Sequence, residues 1–253
     1  MELPVNHFKR AILAGERQIG LWCTLSSPYA AEAVAGSGFD WLLLDTEHSP
    51  NELDTVLGQL QAVAAYPTNA VVRPAWNDPV LIKRFLDIGA QTLLLPYVQS
   101  AEEAEQAVAA MRYPPRGFRG MGGTTRATRF GRVADYAARC EAELCLLVQV
   151  ETATALDSLE AITDVDGVDG VFIGPADLAA SLGYLGRPGA PEVVDIVCYA
   201  IRRIRARGKA AGVLATDAAS TRRYLEAGAV FAAVGVDLGI LTRETARLAA
   251  DYR

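Results

Sequence analysis

Eight short runs rich in β-branched residues and Leu recur along the whole chain, at 19–25, 41–45, 70–73, 92–96, 145–150, 170–174, 211–215 and 230–236. They are near-continuously apolar, as strands are when a parallel sheet is covered by helices. Amphipathic stretches lie between them. Residues 51–65 place Leu53, Val56, Leu57, Leu60 and Val63 on one helical face, and 192–207 has the same period. Eight such βα units in about 250 residues match the size of a (β/α)8 barrel. The sequence therefore predicts an α/β fold, a single-domain (β/α)8 TIM barrel over 1–253. A doubly wound open sheet is the alternative, but the first strand-to-helix turn, Ser26-Ser27-Pro28-Tyr29, lacks the glycine-rich dinucleotide fingerprint.

Hydrophobic residues make up 51% of the chain and charged residues 21%, enough for a sizeable core and too apolar for long disorder. The net charge of −6 argues against nucleic acid as a partner, because that interaction needs clustered cations. No run reaches the roughly 20 apolar residues that span a bilayer, which argues against a membrane partner. The N-terminus lacks the order of a secretory signal, so a cytoplasmic location is expected. Cys23, Cys140, Cys145 and Cys198 show no Cys-x-x-Cys pairing and read as buried thiols. One stretch, 112–143, exceeds an ordinary connection. It contains Gly117-Phe118-Arg119-Gly120-Met121-Gly122-Gly123 and is expected to be an active-site loop followed by a helix over 133–143.

Barrel chemistry sits at the C-terminal ends of the strands, and the unusual polar residues fall there. The second strand ends Asp45-Thr46-Glu47-His48, the third Arg73-Pro74, the fifth Gln149-Val150-Glu151, and the sixth leads into Gly174-Pro175-Ala176-Asp177. Glu151 and Asp177 close adjacent strands, and two carboxylates without a Cys suit a hard ion such as Mg2+ or Mn2+. The competing structural roles are Asp177 as a helix cap and Glu151 as a solvated acid. His48 is suited to proton transfer, with an exposed loop histidine as its plainer reading; His7 falls in a surface helix. Arg73, in an apolar strand, needs an anionic partner, either substrate or a structural pair with Asp45 or Glu47. Gln149 shares its face with Glu151 under strand alternation. Lys9, Lys83 and Lys209 all lie away from the mouth, so Schiff-base chemistry is not expected.

The segments Leu44-Asp45-Thr46-Glu47-His48-Ser49-Pro50-Asn51, Arg73-Pro74, Gln149-Val150-Glu151-Thr152 and Val168 to Leu178 resemble the HpcH/HpaI family of metal-dependent pyruvate aldolases, in the phosphoenolpyruvate/pyruvate barrel superfamily. The resemblance covers essentially the whole chain. It implies a divalent metal ion (Mg2+, Mn2+ or Co2+) on Glu151 and Asp177. A 2-keto acid would be held by Gln149 and the amides of Ala176 and Asp177, with Trp22 and Leu214 also lining the substrate site. It further implies Arg73 at the enolate oxygen, and His48 made more basic by Asp87 for acid/base steps. The reaction implied is reversible cleavage of a 4-hydroxy-2-keto acid to pyruvate and an aldehyde, with the first proton taken by metal-bound water or by His48 through a water. Thr46 stands where many relatives carry Gly, and its side chain is expected to narrow the aldehyde side. Asp87 falls near the end of the helix after the third strand, far from His48 of its own chain. The pairing then requires a second protomer and predicts self-association, as in a homohexamer with sites at subunit interfaces; otherwise Asp87 only caps or solvates its helix.

Three alternatives remain at this point. A lyase or decarboxylase of the same superfamily would act on oxaloacetate, a phosphorylated keto acid or an acyl-CoA ester, the last using Arg119, Arg126 and Arg129. A keto-acid-binding barrel without catalysis is the second. An assembly scaffold is the third, suggested only by the apolar face of 240–252, more simply read as a barrel helix.

Overall fold

The computed structural model describes residues Met1–Arg253. Its strands are β1 (Gln18–Cys23), β2 (Trp41–Asp45), β3 (Asn69–Arg73), β4 (Thr92–Leu95), β5 (Cys145–Val150), β6 (Gly170–Ile173), β7 (Ala210–Leu214) and β8 (Phe231–Val236). Around and below them lie α1 (His7–Leu13), α2 (Pro28–Ala35), α3 (Leu53–Val63), α4 (Pro79–Asp87), α5 (Ala101–Met111), α6 (Tyr136–Arg139), α7 (Ala153–Asp157), α8 (Leu159–Thr163), α9 (Pro175–Ser181), α10 (Pro191–Ala206), α11 (Ala218–Glu226) and α12 (Asp237–Ala250). The strands pair in parallel in sequence order and β8 returns to β1, closing the barrel and excluding the open sheet.

The apolar runs bury both faces, as their composition requires. Outward residues such as Leu42, Leu44, Val72 and Val148 join the helices in the main core, while Trp41, Leu43, Val71, Leu147, Phe172 and Phe231 fill the interior. Two glycines make room for the aromatics. A Cβ at Gly20 would come within 2.2 Å of the Trp41 ring, and one at Gly212 within 2.0 Å of Phe231. The floor is closed by α1, whose Phe8 ring lies 5.7 Å from Trp41 and 5.8 Å from Phe231. Filling the interior in this way makes it a packed core, so chemistry is confined to the upper rim.

Two sequence expectations change here. Segment 112–143 follows α5 and precedes β5, so it belongs to the rim opposite the mouth. There Ala127 N–H donates to the carbonyl of Asp87 at the end of α4, and Arg126 donates to the carbonyl of Ile88. Its helix is shorter than 133–143, being α6 followed by one 3-10 turn at Cys140–Glu143. The final helix is not an ordinary barrel helix either. Asp237 is its one buried residue, held by the Thr24 N–H at 2.8 Å, and Leu238, Ile240, Leu241 and Leu248 are exposed. All four cysteines are free and buried, and no helix is long and apolar enough to cross a membrane.

Candidate active site

The register of β2 on β3 sets Asp45 opposite Arg73, and strand alternation turns both inward above Trp41, Leu43 and Val71. Their side chains make a two-point pair, Nε to Oδ1 at 2.8 Å and Nη2 to Oδ2 at 2.7 Å, with Asp45 1% and Arg73 5% exposed. Trp22 supports the pair from β1. Its Nε1 donates to Asp45 at 3.2 Å, and its ring lies 4.9 Å beneath the guanidinium. Burial alone would raise the Asp45 carboxyl, but the hydrogen bonds and charge of Arg73 outweigh it and hold the group below its ordinary range.

The loop after β2 folds back on its own strand end, which explains its polar residues. The Ser49 hydroxyl and the Asn51 amide both donate to the Asp45 carbonyl, and Gln59 of α3 holds the Asn51 oxygen at 2.6 Å. The Thr46 side chain is fixed by its hydroxyl, which donates to the Arg73 carbonyl at 2.7 Å. Glu47 lies 2.7 Å from Nη1 of Arg73, an ion pair without a directed hydrogen bond. His48 Nε2 is 3.9 Å from Glu47, and its side chain is 64% exposed at the mouth.

Across the barrel, β5 directs Gln149 and Glu151 to the same face, and the Gln149 amide donates to the Glu151 carboxylate. The other Glu151 oxygen accepts from the Tyr97 N–H at 2.8 Å, while the Gln149 oxygen is buried without a partner. Gly174 lets the chain pass close by, since a Cβ there would sit 2.6 Å from Glu151 and 2.9 Å from Gln149. Burial, reinforced by the charges of Glu47 and Asp177, raises the Glu151 carboxyl to about 7 despite its two donors. Glu47 is likewise raised by burial and by Asp45 and Asp177, against the pull of Arg73 and His48. Asp177 lies in the first turn of α9 but is not its cap; that position is Gly174, without a side-chain bond. Ala176 and Leu214 line one cavity of about 210 Å3 together with Pro175 and Thr216.

Asp87 is set apart from these residues. It ends α4 and pairs with the fully buried guanidinium of Arg119 at 2.8 Å. Arg119 pairs with Asp87 and Arg126 with the Ile88 carbonyl, and the segment that holds them and Arg129, the arginines an acyl-CoA ester would need, faces the rim opposite its own mouth. Tyr97 is the residue that sequence reasoning missed. It follows Leu95-Pro96 at the end of β4, a strand end with no charged residue to draw attention to it.

A closed barrel whose mouth gathers a buried cation, an imidazole and four carboxylates in electrostatic range of one another is that of a barrel enzyme. Residues 18–243 match the model of the HpcH/HpaI aldolase/citrate lyase family, and the chain belongs to that family. It is 62% identical over 252 residues to a pyruvate aldolase of Rhizobium etli, covering 100% of this chain and 99% of the relative. A 4-hydroxy-2-oxo-heptane-1,7-dioate aldolase of Salmonella dublin is 56% identical over 98% of this chain and 94% of its own length. Among solved structures, an HpcH/HpaI aldolase/citrate lyase family protein from Burkholderia cenocepacia J2315 superposes with a TM-score of 0.94 at 40% identity, covering 98% of this chain and 100% of that one. The protein is an aldolase, a carbon–carbon lyase.

Proposed function

We propose that the protein cleaves 4-hydroxy-2-keto acids to pyruvate, or a related 2-keto acid, and an aldehyde, and that Glu151 and Asp177 hold a divalent metal ion for this reaction. The observation that carries the reading is the buried Glu151, 1% exposed, beside a Gln149 oxygen that has no partner and crowded by the negative charges of Asp177 and Glu47. A cation relieves that crowding, and an all-oxygen donor set suits Mg2+, Mn2+ or Co2+. No group of three or more His, Cys, Asp or Glu side chains forms a closed cage, so substrate and water would complete the coordination. When bound, such an ion supplies Lewis-acid stabilisation for charge on the keto-acid oxygens.

The remaining work belongs to side chains and amides of this chain. Asp45 takes two of the five N–H groups of Arg73, leaving an outer edge that Glu47 shares and that faces the oxygen where charge grows as the bond breaks. Gln149 is oriented by Glu151 and orients the keto acid in turn. The first-turn amides of Ala176 and Asp177, which a helix leaves unbonded, meet the substrate carboxylate. Trp22 and Leu214 wall the keto-acid side. His48 takes the proton of the 4-hydroxyl, directly or through a water, and returns one in the reverse direction.

His48 is the least supported group in a single chain, with only Glu47 nearby. Asp87 of a second copy completes it in our reading, which makes the enzyme a homo-oligomer, as a hexamer, with sites at subunit interfaces. The exposed apolar side chains of α12 supply a surface that a second copy would cover. The four free thiols suit a cytoplasmic setting. Incubation with a series of 4-hydroxy-2-keto acids and Mg2+ tests the assignment. Pyruvate release that stops with a chelator supports it, and release indifferent to the chelator overturns it.

A further inference from the structure

We propose that the rim opposite the mouth holds a second ligand site, where Arg126, Arg129 and Thr68 take the carboxylate of a compact organic acid with an apolar body. The three residues line a cavity of about 250 Å3 bordered by the N-terminal arm, the end of α3 and the segments entering β3 and β4. Arg73, Asp87, Glu151 and Asp177 are not in its walls, so the site stands apart from the aldolase reading.

The charges around this cavity do not balance. Arg119 and Arg139 of the same segment pair with Asp87 and Glu2, whereas Arg126 and Arg129 pair with no acid. Arg126 is half-buried, and burial together with the like charge of Arg129 pushes its guanidinium down. The single carboxylate in the walls, Glu143, is taken by Arg10 and by the Asn6 N–H, each at 2.7 Å. Thr68 adds an unmet group, being 7% exposed with its hydroxyl buried and without a partner. Two like charges and an orphan hydroxyl around one cavity favour an anionic occupant.

Both cations are held in place. Arg126 donates to the carbonyls of Ile88 at 2.8 Å and Leu60 at 3.5 Å, which uses two of its five N–H groups. Its guanidinium lies against Gly89, where φ is +97° and a Cβ would fall 2.6 Å from Nη1. Arg129 and Phe130 have φ of +52° and +58°, left-handed conformations that persist where the surroundings impose them. Thr128 imposes these, since its hydroxyl donates to the Thr125 carbonyl and accepts from the Gly131 N–H, each at 2.9 Å.

Guanidinium groups match a carboxylate with paired N–H donors. Leu60, Val63, Ala70 and Leu144 give the rest of the ligand an apolar wall, from which free phosphate gains nothing. The volume falls below the roughly 300 Å3 at which drug-sized sites begin, so the occupant is a small carboxylic acid and not a nucleotide or coenzyme.

The test is titration of benzoate, and separately of inorganic phosphate, into the Mg2+-loaded protein with oxalate added to fill the mouth. Saturation-transfer NMR and calorimetry read the binding, and wild type is compared with Arg129→Gln and Thr68→Val. Benzoate should bind wild type, with affinity reduced at least about tenfold in Arg129→Gln and about fivefold in Thr68→Val. Thr68→Val puts a methyl where a buried hydroxyl has no partner, so its Tm without benzoate should be no lower than that of wild type. Its weaker binding then cannot come from a damaged fold. No benzoate binding by wild type, or equal binding by wild type and both variants, overturns the site. Phosphate bound in place of benzoate overturns its assignment to an organic acid.

Discussion

Replacing Asp45 by Asn removes one charge and almost no volume from the pair that anchors the site. Asp45 accepts from Nε and Nη2 of Arg73, from Trp22 and from the Glu47 N–H. Asn keeps one acceptor and turns an amide N–H toward guanidinium or indole donors. The Arg73 side chain, nearly closed to water, then has Glu47 as its one ionic partner. Removing one partner of a buried pair costs about 3–5 kcal/mol. In a chain of this length that corresponds to roughly 6–20 °C in Tm. Thermal unfolding at fixed protein concentration measures it, since assembly shifts Tm by mass action. The acid limb gives an independent check. The folded carboxyl lies below its ordinary value, so its stabilisation is complete above the unfolded value near 4 and is lost as pH falls through the lower folded one. Asp45→Asn should abolish that part of the acid dependence. A loss below about 1 kcal/mol, with an acid limb like that of wild type, would refute the view that this pair supports the site.

Glu151→Gln and Asp177→Asn should each reduce pyruvate release by at least about a thousandfold while circular dichroism shows the fold retained. A Gly174→Ala methyl has no space beside Glu151 and Gln149, so activity should fall by at least about tenfold, read as kcat/KM on one keto acid. Mixing inactive His48→Ala with inactive Asp87→Asn after dissociation and reassembly should restore part of the activity if the site spans two copies. Asp87→Asn retains a hydrogen-bond acceptor for Arg119, so loss of activity without recovery on mixing would mean that Asp87 acts within its own chain.

The barrel was legible because both faces of each strand are buried, which leaves a continuous apolar run. The mouth was legible because Asp45, Glu47, Arg73, Gln149 and Glu151 interrupt such runs at their C-terminal ends. What escaped was tertiary. The arginines of the glycine-rich segment look like a ligand-binding set in sequence, yet Arg119 is buried and paired with Asp87, and Arg126 is held by backbone carbonyls. The length of 112–143 marks it as exceptional, but its place between α5 and β5 sends it to the rim opposite its own mouth. The amphipathic pattern of α12 is that of a helix with an apolar partner, and a pattern does not say whether the partner lies in the same chain. The role of Tyr97 depends on a positive φ and a backbone hydrogen bond, neither of which leaves a mark in composition or spacing.

The central claim is that Glu151 and Asp177 hold a divalent cation on which the keto acid is bound. Electron paramagnetic resonance of Mn2+ titrated into the metal-free protein, with and without oxalate as a mimic of the pyruvate enolate, tests it without turnover. The account predicts that wild type binds Mn2+, that oxalate tightens the binding, and that Glu151→Gln and Asp177→Asn both lose it. Mn2+ bound equally well by the two variants, or unaffected by oxalate, would contradict it.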